Sequence, residues 1–553
     1  MDLSLHHFFL EVFSDFAEAP ESDPSRADVE NITTWKNQGT MLSTSEGFEY
    51  TPRGGLKPRL VTDAVVSPAQ LSASPTELYD VIIVGAGYAG LIAARDLTAR
   101  GRKVLLIEAR DRIGGRTWSC RAGSGDIFDM GGTYIHWTQP HVWTEIVRYG
   151  LKETIKDCVE PFERSVPPSM ILNGEGKNRP AAELDAWLGK AMSTFYNPDG
   201  IRSTDAVPYP HSPLYNQACA AKHDGMSARD RFEQLRGILN EDELGINKAY
   251  TLIMSGPPLE SASYFDLLQR WVLGGATPDQ YAERMTRFKL KGGQTELTRR
   301  IFNDILATGN CSYTFSTPIQ AIDHSGLEKV SVMTVDGRCF RARKAICTIP
   351  LAVLKSIRFT PSLPPLKAEA IAEGRGNFTR KFHALAEGRQ WRSWSCVRYN
   401  SSNNNGGEAV MASGDSQSAS GEDTNLVVFS AGDSLKPHFS PREQLETLQS
   451  LDAHLKVKRL IFTDYNDDPY AGGSWCVFQP GYMTKYLGAL QSSVGNLKFA
   501  SGDIADGWRG FIDGAIESAT LVAREVEGEL LGLIPVPPPV PTSGIGVANE
   551  AHL

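Results

Sequence analysis

Tyr79-Asp80-Val81-Ile82-Ile83-Val84-Gly85-Ala86-Gly87-Tyr88-Ala89-Gly90 decides the fold, read together with Lys103-Val104-Leu105-Leu106-Ile107-Glu108 downstream. The apolar, β-branched run Val81–Val84 has the pattern of a strand buried on both faces. A glycine-rich turn follows, then a helical stretch from Leu91 to about Ala99 that Gly101 ends. Lys103–Glu108 is a second strand, so the stretch is one βαβ unit. Each glycine has a mechanical role. Gly85 makes the tight turn, Gly87 lets backbone approach a pyrophosphate, and Gly90 lets helix and strand pack closely. The helix N-terminus offers N–H groups and partial positive charge to phosphates. Glu108, 18 positions after Gly90, is placed to accept hydrogen bonds from ribose hydroxyls. A GxGxxG alone is weak evidence; in this strand–turn–helix context it predicts a bound dinucleotide.

Outward from that unit, the chain has 553 residues, enough for three or four compact units or two large interleaved ones. Hydrophobic residues make up 41% and charged residues 22%, which excludes a wholly disordered chain. With 56 Lys and Arg against 65 Asp and Glu, the formal net charge is −9. That sign argues against nucleic acid or anionic lipid as main partner. The eight cysteines are scattered with no CxxC pair, so neither a disulfide scaffold nor a zinc site is expected, and no metal is assigned. Residues 1–77 read as a polar N-terminal extension and arm. Residues 151–284 are more helical, and 311–350 read as short strands joined at Asp336-Gly337. Ser401–Thr424, rich in Ser, Asn and Gly, reads as a flexible surface loop.

Directly after Glu108, Ala109-Arg110-Asp111-Arg112-Ile113-Gly114-Gly115-Arg116-Thr117 adds a glycine pair and three arginines. This segment resembles the second flavin fingerprint of the flavin-containing amine oxidase family. Met130-Gly131-Gly132-Thr133-Tyr134-Ile135-His136-Trp137 resembles that family's glycine pair beside the flavin, and Lys291-Gly292-Gly293-Gln294 a later one. Thr317-Pro318-Ile319 and Cys347-Thr348-Ile349-Pro350-Leu351 look like strands of its FAD domain. Phe499-Ala500-Ser501-Gly502-Asp503 with Gly507–Ala515 looks like its closing FAD segment. The likeness runs over most of residues 46–530 and is greatest to the soluble, fungal-type monoamine oxidases; it includes the arm Glu46–Pro52.

The resemblance implies an α/β fold with an α+β substrate domain: a Rossmann-type FAD-binding domain interleaved with a mixed-sheet and helical one. The FAD domain would comprise 78–150, 285–355 and 465–531, the substrate domain 151–284 and 356–464, and a Pro-rich tail 532–553. Cofactor contacts are expected from Gly85, Gly87, Ala89, Gly90, Glu108, Ala109, Arg110, Gly115, Arg116, Gly131, Gly132, Thr133, Ile319, Asp503, Phe511 and Ile512. Three positions carry the implied chemistry. Lys381 aligns with the family lysine that holds a water against flavin N5, where its charge assists reoxidation by O2. The neighbouring Arg380 leaves the register open by one. Trp475 and Phe511 align with the two aromatics that flank the amine. His136 and His383 read as structural.

The activity so implied is oxidation of an amine to an imine, which hydrolyses to aldehyde and ammonia, with O2 giving H2O2. A specialised biosynthetic oxidase or desaturase of a bulkier amine, or a non-catalytic flavin-binding scaffold, stays open. The cysteine that carries covalent FAD in membrane-bound relatives is replaced by Ser474 after Tyr470-Ala471-Gly472-Gly473, so non-covalent FAD is expected. Partners are a small amine and O2, without nucleic acid or membrane anchor; a homo-oligomer is left open. The start Met1–Leu10 lacks a signal-peptide pattern, although Leu3, Phe9, Leu10, Phe13 and Phe16 fit one face of a short helix. Ala551-His552-Leu553 follows the small–basic–Leu pattern that import receptors read, which points to the peroxisome, with the cytoplasm as alternative.

Overall fold

The strand Leu78–Val84, the helix Tyr88–Thr98 and the strand Val104–Ile107 form the βαβ unit the sequence predicts, the helix starting three residues early. Val81, Ile82 and Ile83 are fully buried, as a strand covered on both faces requires. The computed structural model describes residues 42–123, 125–158, 169–178, 181–401, 407–432 and 440–537. The helix expected near Phe9 and the tripeptide Ala551-His552-Leu553 lie outside the described residues.

Leu78–Val84 pairs in parallel with Val104–Ile107 on one side and Cys339–Cys347 on the other, at the centre of a nine-stranded sheet. Cys311–Thr314 continues it in parallel beyond Val104–Ile107. The strands Ile319–Asp323, Val330–Thr334 and Cys339–Cys347 form an antiparallel flank turning at residues 335–338, as read from Asp336-Gly337. Arg358–Thr360 closes this edge. The helix Ile512–Leu530 packs on the fingerprint helix Tyr88–Thr98, so the last helix of the chain covers the first βαβ unit.

A second nine-stranded sheet runs in the order 175–178, 169–172, 395–400, 408–417, 424–432, 380–386, 457–462, 48–51 and 55–58. The hairpin of residues 48–58 thus belongs to this sheet, held by pairing of Phe48–Tyr50 with Leu460–Phe462, and is not a free arm. The flexible loop expected over Ser401–Thr424 is corrected as well. Glu408–Gln417 is an interior strand, paired on both sides, with Ala409, Val410 and Ala412 fully buried. Its small residues serve packing: a Cβ on Gly414 would lie 2.3 Å from the Arg392 carbonyl oxygen. Polarity and glycine content misled because the strand packs backbone against backbone there.

The helix Glu241–Ser255 lies over this sheet. Its start is fixed by a capping box in which Asn240 accepts from the Glu243 N–H and Glu243 accepts from the Asn240 N–H. Glu241, Asp242 and Glu243 in the first turn complement the helix dipole. Gly256, at φ +69°, ends it and delivers Ile253 and Met254 to the cavity described below.

Glu46, at the root of the 48–58 hairpin, ties this sheet to the fingerprint. Its carboxylate meets the guanidinium groups of both Arg110 and Arg112. Burial alone would raise its pKa, but the two arginines hold it below the usual carboxylate value. Its stabilising contribution is therefore complete above about pH 4.5 and lost as pH falls through its lowered pKa. Glu46→Ala leaves two buried guanidiniums short of a partner and is expected to cost roughly 3–5 kcal/mol, read as a lower urea midpoint at neutral pH. The difference from wild type should shrink in acid.

Candidate functional site

The fingerprint glycines sit where bare backbone is required. Gly85 has φ +107°, and a Cβ on Gly90 would lie 1.8 Å from the Gly85 carbonyl oxygen. Gly90 therefore lets helix meet strand, as read, and does not face the cavity. Gly87 faces Gly115, whose Cβ would come within 3.3 Å of the Gly87 Cα. Gly131 is equally constrained, since a Cβ there would lie 1.9 Å from the Arg116 carbonyl oxygen. Three segments distant in sequence thus converge on the floor of one cavity of about 470 Å³.

Of the expected cofactor contacts, Gly85, Gly87, Ala89, Glu108, Ala109, Arg110, Gly115, Arg116, Gly131, Gly132, Thr133, Ile319, Phe511 and Ile512 all line this cavity. Asp503 does not. It is buried behind the wall, accepting from Arg116 at 2.7 Å and the Leu351 N–H at 3.0 Å, while Ser501 and Gly502 form the wall itself. Glu108 accepts from the Ala86 N–H at 2.6 Å and the Arg110 N–H at 2.9 Å, which fixes its carboxylate at the strand end. Burial raises its pKa.

The arginines are compensated by protein groups. Arg110 pairs with Glu46 and, at 2.7 Å, with Asp468. Arg112 is fully buried over the Trp118 ring, and Arg116 reaches Asp503 and the Ser474 carbonyl oxygen at 2.7 Å. The groups open to an anion are helix ends. The N-terminus of Tyr88–Thr98 has no side-chain cap and no acidic residue in its first turn, and Gly87 in front of it lines the cavity. The Ile512–Leu530 helix also starts without a side-chain cap, at Phe511 on the same wall. Unsatisfied N–H groups at two such ends suit an elongated, phosphate-bearing ligand. With glycines that admit close approach and a carboxylate at the strand end, these residues fit a flavin dinucleotide.

The chemistry-bearing residues come to the same cavity from the second sheet. Arg380 and Lys381 both line the cavity; Lys381 turns its ammonium to the Asp129 and Gly131 carbonyl oxygens at 2.8 and 2.9 Å and to Thr133. Arg380 instead lies 3.6 Å from Asp464. Burial lowers the Lys381 pKa to about 8, against the attraction of Asp129 and Asp415. Beneath it, Lys289 pairs with Asp415, and His383 bonds the Asp129 carbonyl oxygen at 2.9 Å. Burial and the Lys381 charge push the His383 pKa down to about 3, so this ring is neutral. His136 engages Thr138 and Glu283, a structural placement.

Trp475 and Phe511 both line the cavity, half-buried. Trp475 is oriented by its indole N–H donating to the Met254 carbonyl oxygen at 2.8 Å, and Phe511 by an edge contact with Trp508 at 5.2 Å. Sequence reasoning missed Phe429, Met411 and Met254, which also line it. Phe429 lies directly opposite Lys381 across one strand pair, and Met411 opposite Phe429 across the next, so the three share one sheet face. The missing signal was the strand 408–417. Ser474 faces the cavity, whereas Cys476 is buried in the core beside it.

Comparison with known proteins agrees with this geometry. The chain is 28% identical over 457 residues to pseudooxynicotine dehydrogenase of a Pseudomonas species, covering 82% of this chain and 87% of that protein. It is 25% identical over 460 residues to the flavin-containing amine oxidase B of Bos taurus, covering 81% and 86%. Cyclohexylamine oxidase from Brevibacterium oxydans has the same fold, with a TM-score of 0.64 at 22% identity over 82% of this chain and 100% of that one. The model of the flavin containing amine oxidoreductases matches residues 88–527, and the chain belongs to that family, with FAD as its cofactor.

Proposed function

We propose that the protein is an oxidase of small, predominantly apolar amines. The observation that carries this reading is that Lys381, Trp475 and Phe511, from three separate segments, line the same cavity as the dinucleotide fingerprint, among Met254, Met411 and Phe429. FAD held along the fingerprint and the 114–117 and 130–133 backbone would supply the hydride acceptor for the amine α-carbon and the route of its electrons to O2, giving H2O2. The protein's part is positioning and electrostatics. The faces of Trp475 and Phe511 hold a neutral amine and exclude water. Lys381 is pinned by backbone carbonyls beside Gly131-Gly132, the backbone expected to pass along the flavin, and keeps a positive charge there at neutral pH. The imine leaves and hydrolyses to aldehyde and ammonia.

Ser474 on the wall and Cys476 in the core support non-covalent attachment. A second reading follows from the relative named pseudooxynicotine dehydrogenase: a bulkier nicotine-like amine, with an acceptor other than O2. For localisation we propose peroxisomal import through Ala551-His552-Leu553, supported by the tripeptide pattern and by peroxide as a product.

The first test is a visible spectrum of purified protein before and after anaerobic addition of butylamine, then admission of air and acid precipitation. Bleaching, recovery with H2O2 and a colourless pellet are the expected outcome. Bleaching without recovery in air would favour the dehydrogenase reading, and a yellow pellet would overturn non-covalent attachment. Lys381→Met is expected to slow reoxidation by O2 about 100-fold with FAD still bound. In wild type the same rate should fall as pH rises through about 8, where the lysine loses its proton, and the variant should lack that limb. Deleting the last three residues of a fluorescent fusion is expected to disperse it from peroxisomes to cytosol; unchanged localisation would reject the import reading.

A further inference from the structure

Away from the cofactor cavity, the helix Ile512–Leu530 carries Asp513 and Glu517 four residues apart, so both carboxyls leave one face. Asp513 is fully buried. Its carboxyl sits on the first turn of the helix Pro140–Arg148, accepting from the Val142 N–H at 2.8 Å and drawn also to the His141 backbone N–H, while Oδ2 makes no hydrogen bond of good geometry. Glu517 accepts only from the Gly507 N–H, at 3.2 Å. Neither carboxyl has a Lys or Arg ion-pair partner among the described residues; nearby Arg509 is engaged by Asp266 at 2.8 Å.

One imidazole completes the group and a second stands beside Glu517. Ligand atoms of His141, Asp513 and Glu517 lie within 4.8 Å of one another. His211 and Glu517 face each other across Gly507, where a Cβ would lie 2.3 Å from His211 Nδ1 and 2.6 Å from Glu517 Oε2. Among the described residues neither imidazole has a hydrogen bond. A buried carboxylate oxygen without a partner is costly, and a proton or a cation relieves it.

We propose that His141, His211, Asp513 and Glu517 bind a divalent first-row transition ion, with Zn²⁺ the best match. Two neutral imidazoles and two carboxylates are the borderline nitrogen–oxygen donor set of a four-coordinate zinc centre. Zinc–ligand distances of about 2.0–2.2 Å bring ligand atoms to within roughly 3.5 Å of each other, so His141, Asp513 and Glu517 draw together by about an ångström and His211, outside that set, turns in to complete it. Exposed His211 gives the ion its way in. The role is structural: the ion clips the helix Pro140–Arg148 and the His211 loop to the helix start that presents Phe511 and Ile512 to the cofactor cavity. The cysteine spacing holds no trace of it, because its ligands come from three separate segments.

The test uses FAD-loaded full-length protein stripped with EDTA and titrated with Zn²⁺, and with Co²⁺ as a coloured probe. One ion retained per chain through gel filtration, Co²⁺ bands at wavelengths longer than the flavin absorption, and a raised melting temperature are expected. The double variant His141→Gln/His211→Gln should lose at least about tenfold in affinity with unchanged FAD content. Should that variant not fold, His211→Gln alone, at an exposed position, carries the same comparison. No retained ion, or equal affinity in wild type and variant, overturns the proposal.

Discussion

At Gly90 and Gly131 the chain brings backbone against backbone more closely than a side chain permits, and at Gly115 a Cβ would be tight, 3.3 Å from the Gly87 Cα. A Cβ at Gly90 or Gly131 would fall within 2 Å of a carbonyl oxygen. Those approaches set the angle at which the fingerprint helix leaves its strand, and they lay the 114–117 and 130–133 segments side by side along one floor. The cavity exists because that floor is bare: helix N-termini and glycine backbone face inward where side chains would otherwise fill the space. The second sheet is then joined to this floor through Glu46 and through the Lys381 bonds to Asp129 and Gly131.

Charge is arranged on the same plan. Arg110, Arg112 and Arg116 are matched by Glu46, Asp468 and Asp503 within the protein, so the fingerprint arginines hold the architecture and leave attraction of an anion largely to oriented N–H groups. Lys381 differs. It stands in the cavity wall, bonded only to neutral oxygens, and lies 5.9 Å from the centre of the Phe429 ring. Burial strips the ammonium of water and loosens its proton, and the attraction of Asp129 and Asp415 only partly offsets that loss.

The fingerprint was legible because each of its residues has a local backbone role that only its residue type can fill. Gly85, Gly87 and Gly90 stand as read, and Glu108 ends its strand as expected. Lys381 was legible to within one residue; in the structure it bonds the Gly131 backbone, while Arg380, on the same cavity wall, lies toward Asp464. What escaped reading was assembled at long range. Asp503 has the residue type of a ligand contact, yet Arg116 and the Leu351 N–H draw it behind the wall. The strand 408–417 looks like a loop because its small polar residues answer to a packing constraint that only the folded sheet imposes. Met254 gives no signal of its own; a capping box fourteen residues upstream and Gly256 after it determine where it lands.

Lys381, Phe429 and Met411 stand in one row across three neighbouring strands, and none of those strands belongs to the sheet that carries the fingerprint. The fingerprint and this row of side chains therefore sit on two different sheets, joined through Glu46 and Lys381. On the proposed reading, a change at 411 or 429 alters the space left for the amine while the fingerprint backbone stays in place. Under that reading, specificity can shift by single steps on one sheet while the other keeps the fingerprint intact.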